Sequence, residues 1–202
     1  TKYIFNAAYR ENGQRNHILK GLKKAKNDDI ILVSDVDEIP NLEKINFYDI
    51  NQKLIFFNQD MFYYKLNLKL PNFNWIGTRC CKKKNLKSPQ WLRNIKDRKY
   101  PIYRLDTLLS DKKYTDIKII KEGGWHFTNI KTPEEIHHKM KNFLHHFEYN
   151  NSGLNVNDIR KLILEKKALY NYNADKREKK WSQYSQLRKV DISVLPNYIK
   201  KN

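Results

Sequence analysis

Three carboxylates crowd into the short run Ser34-Asp35-Val36-Asp37-Glu38. Asp35 and Asp37 stand two apart, and in an extended chain side chains at that spacing point the same way. Carboxylates so placed repel one another unless a cation lies between them, and hard oxygen donors suit magnesium or manganese. Such an ion can bridge the diphosphate of a nucleotide-linked donor and neutralise the leaving group. An Asp-x-Asp triplet alone is common, and the ordinary alternative is a solvated acidic turn. Phosphatase-like chemistry, with Asp35 as nucleophile, calls for a glycine and a hydroxyl residue after the second aspartate. This chain has Glu38 and Ile39 there, which ranks that chemistry lower.

The elements that must position these groups are legible in outline. Ile30-Ile31-Leu32-Val33, opened by Asp28-Asp29, is short and rich in β-branched residues, as a strand buried in an α/β sheet would be. Open α/β sheets bind ligands at the carboxyl ends of their strands, which is where Asp35 falls. The sequence predicts a short strand over Lys2 to Phe5 and a helix over Glu11 to Lys26, with Ile18, Leu19, Leu22 and Ala25 on one face. Strand signals dominate from Lys53 to Cys81. Ser88-Pro89 marks a helix start leading into Gln90 to Ile95, and Ile117 to Ile120 reads as a strand closed by Gly123-Gly124. Thr132-Pro133 caps a helix expected to reach about His146, and a further helix is expected over Asn157 to Ala168. Without repeats or a long linker, residues 1–202 read as a single domain.

The formal net charge is +18. A basic surface attracts phosphates, so a nucleic-acid partner or a diphosphate-bearing donor both fit. The charge is spread along the chain and Lys, Asn and Ile are all abundant, which favours compositional bias over a specific nucleic-acid surface. No apolar run is long enough to span a membrane, and no signal peptide is seen. The adjacent Cys80 and Cys81 are poorly placed to bridge each other and suit a reducing compartment.

The run Asp28-Asp29-Ile30-Ile31-Leu32-Val33-Ser34-Asp35-Val36-Asp37-Glu38-Ile39-Pro40 resembles glycosyltransferase family 17. Further stretches resemble that family in the same order: Arg10-Glu11-Asn12-Gly13-Gln14-Arg15-Asn16, Gly123-Gly124-Trp125-His126-Phe127 with Thr132-Pro133-Glu134-Glu135-Ile136, His146-Phe147-Glu148-Tyr149-Asn150, and Leu195-Pro196-Asn197-Tyr198. The resemblance implies a GT-A fold, with a mixed, mostly parallel sheet flanked by helices. It implies an inverting, metal-dependent transfer from a UDP-sugar, with UDP-N-acetylglucosamine the expected donor and a glycan, glycoprotein or other hydroxyl compound the acceptor. Asp35 and Asp37 would be the metal motif, and His126 would approach the metal or the diphosphate. Family members carry an additional N-terminal region that supplies early strands, and this chain opens just before Arg10, so those strands lie outside it or are lost. The compartment stays open: cytoplasmic for a complete chain, Golgi lumen behind a missing N-terminal anchor.

Other residues have roles suggested by type and place. Arg10 and Gln14 are four apart and share a helix face if the helix begins that early; with Arg15 and Asp35 they are candidates for contacts to the nucleotide or phosphate. Trp125 offers a face for a sugar, against a core aromatic as the default. An inverting transfer needs a general base. Glu38 and Glu148 are the first candidates and Asp60 the third, with His145 and His146 near enough to Glu148 to pair with it. Tyr63, Tyr64 and Trp75 are candidates for an acceptor groove or for core. The rival readings are a metal-dependent phosphohydrolase or nuclease using the same carboxylates, and a non-enzymatic basic binding module on a GT-A remnant.

Overall fold

The computed structural model describes residues 2–98, 100–101, 103–107, 109–143, 146–172, 180–181 and 183–201. The fold is mixed α/β. Its seven-stranded sheet is formed by β1 (Ile30–Val33), β2 (Glu38–Pro40), β3 (Leu54–Tyr63), β4 (Leu68–Lys82), β5 (Ile117–Ile120), β6 (Gly124–Thr128) and β7 (Arg188–Lys189). The path runs β1-β4-β3-β6-β2, with β5 on β3 and β7 on β4. β3 is parallel to β5 and β6, whereas β4 is antiparallel to β1 and β7. The sheet is therefore mixed. The chain forms two compact units, residues 1–8, 60–75 and 125–202 in one and residues 9–59 and 76–124 in the other, and β3 and β4 contribute to both.

In the unit carrying the carboxylates, the apolar run of β1 is explained by burial on both faces. Ile31 and Val33 join Leu54, Phe56, Cys81, Leu92, Ile95 and Ile117. Ile30 and Leu32 pack against Ile55, Phe57, Cys80 and Ile120. The two cysteines thus face opposite clusters, unbridged, and burial pushes their thiols up to about 12 and about 11. The other unit is built on Met61, Tyr63, Tyr64, Leu68 and Leu70 with Ile136, Met140, Tyr149, Ile159 and Leu162.

Helix starts follow their caps. Ser88 Oγ accepts from Trp91 N–H at the start of α2 (Pro89–Asn94), and Thr132 and Glu135 form a capping box on α3 (Pro133–Asn142). Helix ends depart from expectation. The Asn142 amide donates to His138 O, which closes the last turn of α3; Phe143 is extended and α4 (His146–Ser152) begins anew. A further helix, α5 (Val156–Leu164), stops four residues short of Ala168 because Lys166 turns into the left-handed region and Lys167 N–H bonds back to Leu162 O. A short α6 (Asn197–Lys201) lies near the end.

The start of the chain also differs. Residues expected as a strand over Lys2 to Phe5 belong to α1 (Lys2–Asn16), which gives way to a 3-10 turn over His17–Leu22. Only the later part of the expected apolar face is covered: Leu22 and Ala25 pack on the core, while Ile18 and Leu19 stay exposed.

Gly124 opens β6 with φ of +132°, and a Cβ there would collide with Ile39 O and come within 2.8 Å of Asn41 N. Gly124→Ala combines left-handed strain with backbone displacement, so a loss of about 3 kcal/mol is expected. Thermal unfolding should fall by roughly 6–12 °C, while Gly13→Ala, which meets nothing within 4 Å in α1, should not fall at all. Equal melting temperatures for the two variants would contradict the close approach.

Candidate functional site

β1 ends at Val33 and the chain turns at once. Glu38 N–H donates to Asp35 O at 3.0 Å, and Asp35 N–H donates to the Glu38 carboxylate at 3.0 Å. Ser34 Oγ donates to Glu38 O at 2.9 Å and lies 2.7 Å from Thr78 Oγ1, which accepts from Gln59 Nε2. The segment is thus a closed turn with Val36 fully exposed at its tip. The extended chain in which Asp35 and Asp37 would point the same way is not formed, because the Glu38 N–H bond to Asp35 O makes the segment a turn. Both aspartates are part-buried.

Two arginines secure this turn. Arg93, in the last turn of α2, reaches Glu38 through two nitrogens, Nη1–Oε2 at 3.1 Å and Nη2–Oε1 at 3.0 Å. The same Nη2 donates to Asp35 Oδ2 at 2.8 Å, and Nη1 donates to Gly77 O at 2.5 Å. The Glu38 side chain is 0% exposed and that of Arg93 11%, whereas that of Asp35 is 38% exposed. On the other side, Arg15 of α1 donates to Asp35 Oδ1 at 3.2 Å, to Glu11 at 3.0 Å and to Gln90 Oε1 at 2.6 Å. Arg10 and Gln14, on the same helix, are exposed.

Behind Arg93 sits a second cation that sequence reasoning missed. Arg79 Nη1 donates to Leu92 O, Arg93 O and Ile95 O at 3.0, 2.6 and 2.6 Å, so one guanidinium closes the carboxyl end of α2. Its plane covers the Phe56 ring at 4.7 Å. Burial, and then the charge of Arg93, bring its pKa down to about 10.

The remaining candidates lie in the other unit. His126 is buried on β6, opposite Met61 of β3, with its ring 4.8 Å from that of Trp75. Trp125 Nε1 donates to Val194 O at 2.6 Å. Glu148 is 16% exposed with Lys180 Nζ at 3.7 Å, and Asp60 pairs with Lys69 at 2.7 Å. His146 Nδ1 lies 2.9 Å from Phe143 O, at the start of its own helix. His145 lies outside the described residues. Tyr63 and Tyr64 are core: both are buried, and the Tyr63 hydroxyl meets that of Tyr172 at 2.7 Å.

Comparison with protein-family models, curated proteins and solved structures finds nothing that matches the chain. Among the described residues, no three His, Cys, Asp or Glu side chains converge as a metal cage, and no helix is long and apolar enough to cross a membrane.

Proposed function

We propose that this protein is a metal-dependent inverting glycosyltransferase. It takes a sugar, N-acetylglucosamine by the family resemblance, from a UDP-sugar and transfers it to a hydroxyl of a glycan or glycoprotein. The observation that carries the reading is the pinned carboxylate turn directly after the buried strand β1, with Asp35 half-exposed and oriented by two arginines.

The residues fit a shared cation better than an enclosed one. Each carboxylate oxygen has two lone pairs, so Asp35 keeps acceptor capacity beyond its arginines. Asp35 and Asp37 would hold a manganese or magnesium ion, with diphosphate oxygens and water completing the shell. Once bound, such an ion supplies charge neutralisation for the departing diphosphate. Arg15, which donates to Asp35 at the edge of the turn, would receive phosphate charge alongside it. Glu38, bonded at both oxygens by Arg93, anchors the turn.

Calorimetry of UDP binding with and without manganese tests the reading. Affinity is expected to rise by about tenfold or more with the metal, since it joins two like-charged groups. Equal affinity in chelator would sink it, and metal-independent, salt-sensitive binding of RNA would favour the basic-module reading instead.

A further inference from the structure

We propose that Arg93 positions this site and sets its charge, so that a divalent cation is held well only together with a diphosphate. The inference rests on Asp35 and Asp37 being the cation's ligands. One guanidinium spans the buried Glu38 and the half-exposed Asp35, at 3.0 and 2.8 Å. Its backbone is in turn fixed by Arg79, which donates to Arg93 O at 2.6 Å. The Arg93 backbone is thus held to the end of α2, and its guanidinium is held by Glu38, Asp35 and Gly77 O.

Two consequences follow from placing a fixed positive charge there. First, the guanidinium orients Asp35 by direct contact and the rest of the turn through Glu38, whose carboxylate accepts Asp35 N–H. Second, it competes electrostatically with any cation drawn to Asp35, while attracting any anion that arrives with it. Charge thus favours the metal–diphosphate pair over the bare metal. Glu38, enclosed and bonded at both oxygens, keeps Arg93 in place whether or not Asp35 changes partner.

This differs from a purely structural role in the sign of one measurement. A residue that only maintains the fold, once removed, weakens every ligand. Removing Arg93 should strengthen manganese binding in the absence of nucleotide and weaken UDP binding in its presence. The variants are Arg93→Gln, Arg93→Lys and the double Glu38→Gln/Arg93→Gln. The double variant leaves no buried carboxylate without a cation and so guards against misfolding. Manganese affinity is read by paramagnetic resonance of the free ion, and UDP affinity by calorimetry at fixed manganese.

Arg93→Gln is expected to bind manganese alone about five- to tenfold more tightly, the size of one partly exposed charge pair, and the double variant, which also loses the Glu38 charge, more tightly than wild type by a smaller factor. UDP affinity with manganese should fall by about tenfold, and Arg93→Lys, which keeps the charge, should hold manganese as the wild type does. Unchanged or weaker manganese binding in both Gln variants overturns the proposal. A wild type that takes manganese but no UDP overturns the transferase reading instead, and the manganese comparison still decides the part played by Arg93.

Discussion

Glu38→Ala is expected to lose about 3–5 kcal/mol of stability, the cost of breaking a buried ion pair by removing one partner. For a chain of this size that lowers the melting temperature by roughly 6–20 °C. The side chain is fully enclosed, and three groups converge on it: both terminal nitrogens of Arg93 and the Asp35 backbone N–H. Alanine leaves the 11%-exposed Arg93 with Asp35 and Gly77 O only, and frees the Asp35 N–H that closes the turn. Glu38→Gln keeps the volume and one acceptor oxygen, so its loss is expected to be smaller. Turnover of the UDP-sugar should follow melting temperature across the two variants. A general base behaves differently: Glu38→Gln would then be inactive at an unchanged melting temperature. That result would return Glu38 to the chemistry and remove it from the scaffold.

What was legible in the sequence is what local chemistry dictates. The four-residue run of β1 reads as a buried strand because each of its side chains is apolar and both its faces are covered. Ser88-Pro89 and Thr132-Pro133 announce α2 and α3 because a cap and a first-turn proline act within one turn of helix. Residues 2–5 misled because Tyr3-Ile4-Phe5 has the composition of a strand, yet the segment continues through Ala7-Ala8 as one helix. The end of α3 turns on one side-chain bond, Asn142 to His138 O, which no periodicity signals.

The site divides in the same way. The carboxylates are visible as a cluster, but what holds them is not. Arg93 is 55 residues from Glu38 along the chain, and Arg15 is 20 from Asp35. No spacing rule links such pairs; they exist because the end of α1 and the end of α2 meet the turn after β1. Among 40 Lys and Arg residues, the sequence singles out Arg15 as a phosphate contact but not as a partner of Asp35, and it does not single out Arg93. The one available hint for Arg93 is positional: Ser88-Pro89 sets the register of a short helix and places Arg93 in its last turn.

Asp37→Asn separates chemistry from folding more cleanly than any other change at this turn. The bonds that close and anchor the turn run through Asp35 O, Asp35 N, Ser34 Oγ and the Glu38 side chain. None of these is altered when the Asp37 carboxylate becomes an amide of the same size. Little stability is therefore expected to be lost, since replacing one of three neighbouring carboxylates with a neutral amide relieves their repulsion. Asp35→Asn, by contrast, should destabilise, since it weakens the contacts to Arg15 and Arg93. For a cation shared by the two aspartates, replacing one charge with an amide removes half of the formal charge the protein offers it. Turnover of the UDP-sugar should fall by about 100-fold or more, in line with losing one electrostatic stabiliser of a developing charge. Raising manganese should restore part of that loss, because the amide oxygen remains a weak ligand. The measurement is turnover against manganese concentration for wild type and Asp37→Asn, with melting curves of both. Full turnover in the variant at ordinary manganese, or a variant that no longer folds, would assign Asp37 to the structure of the turn and leave the cation without its second ligand.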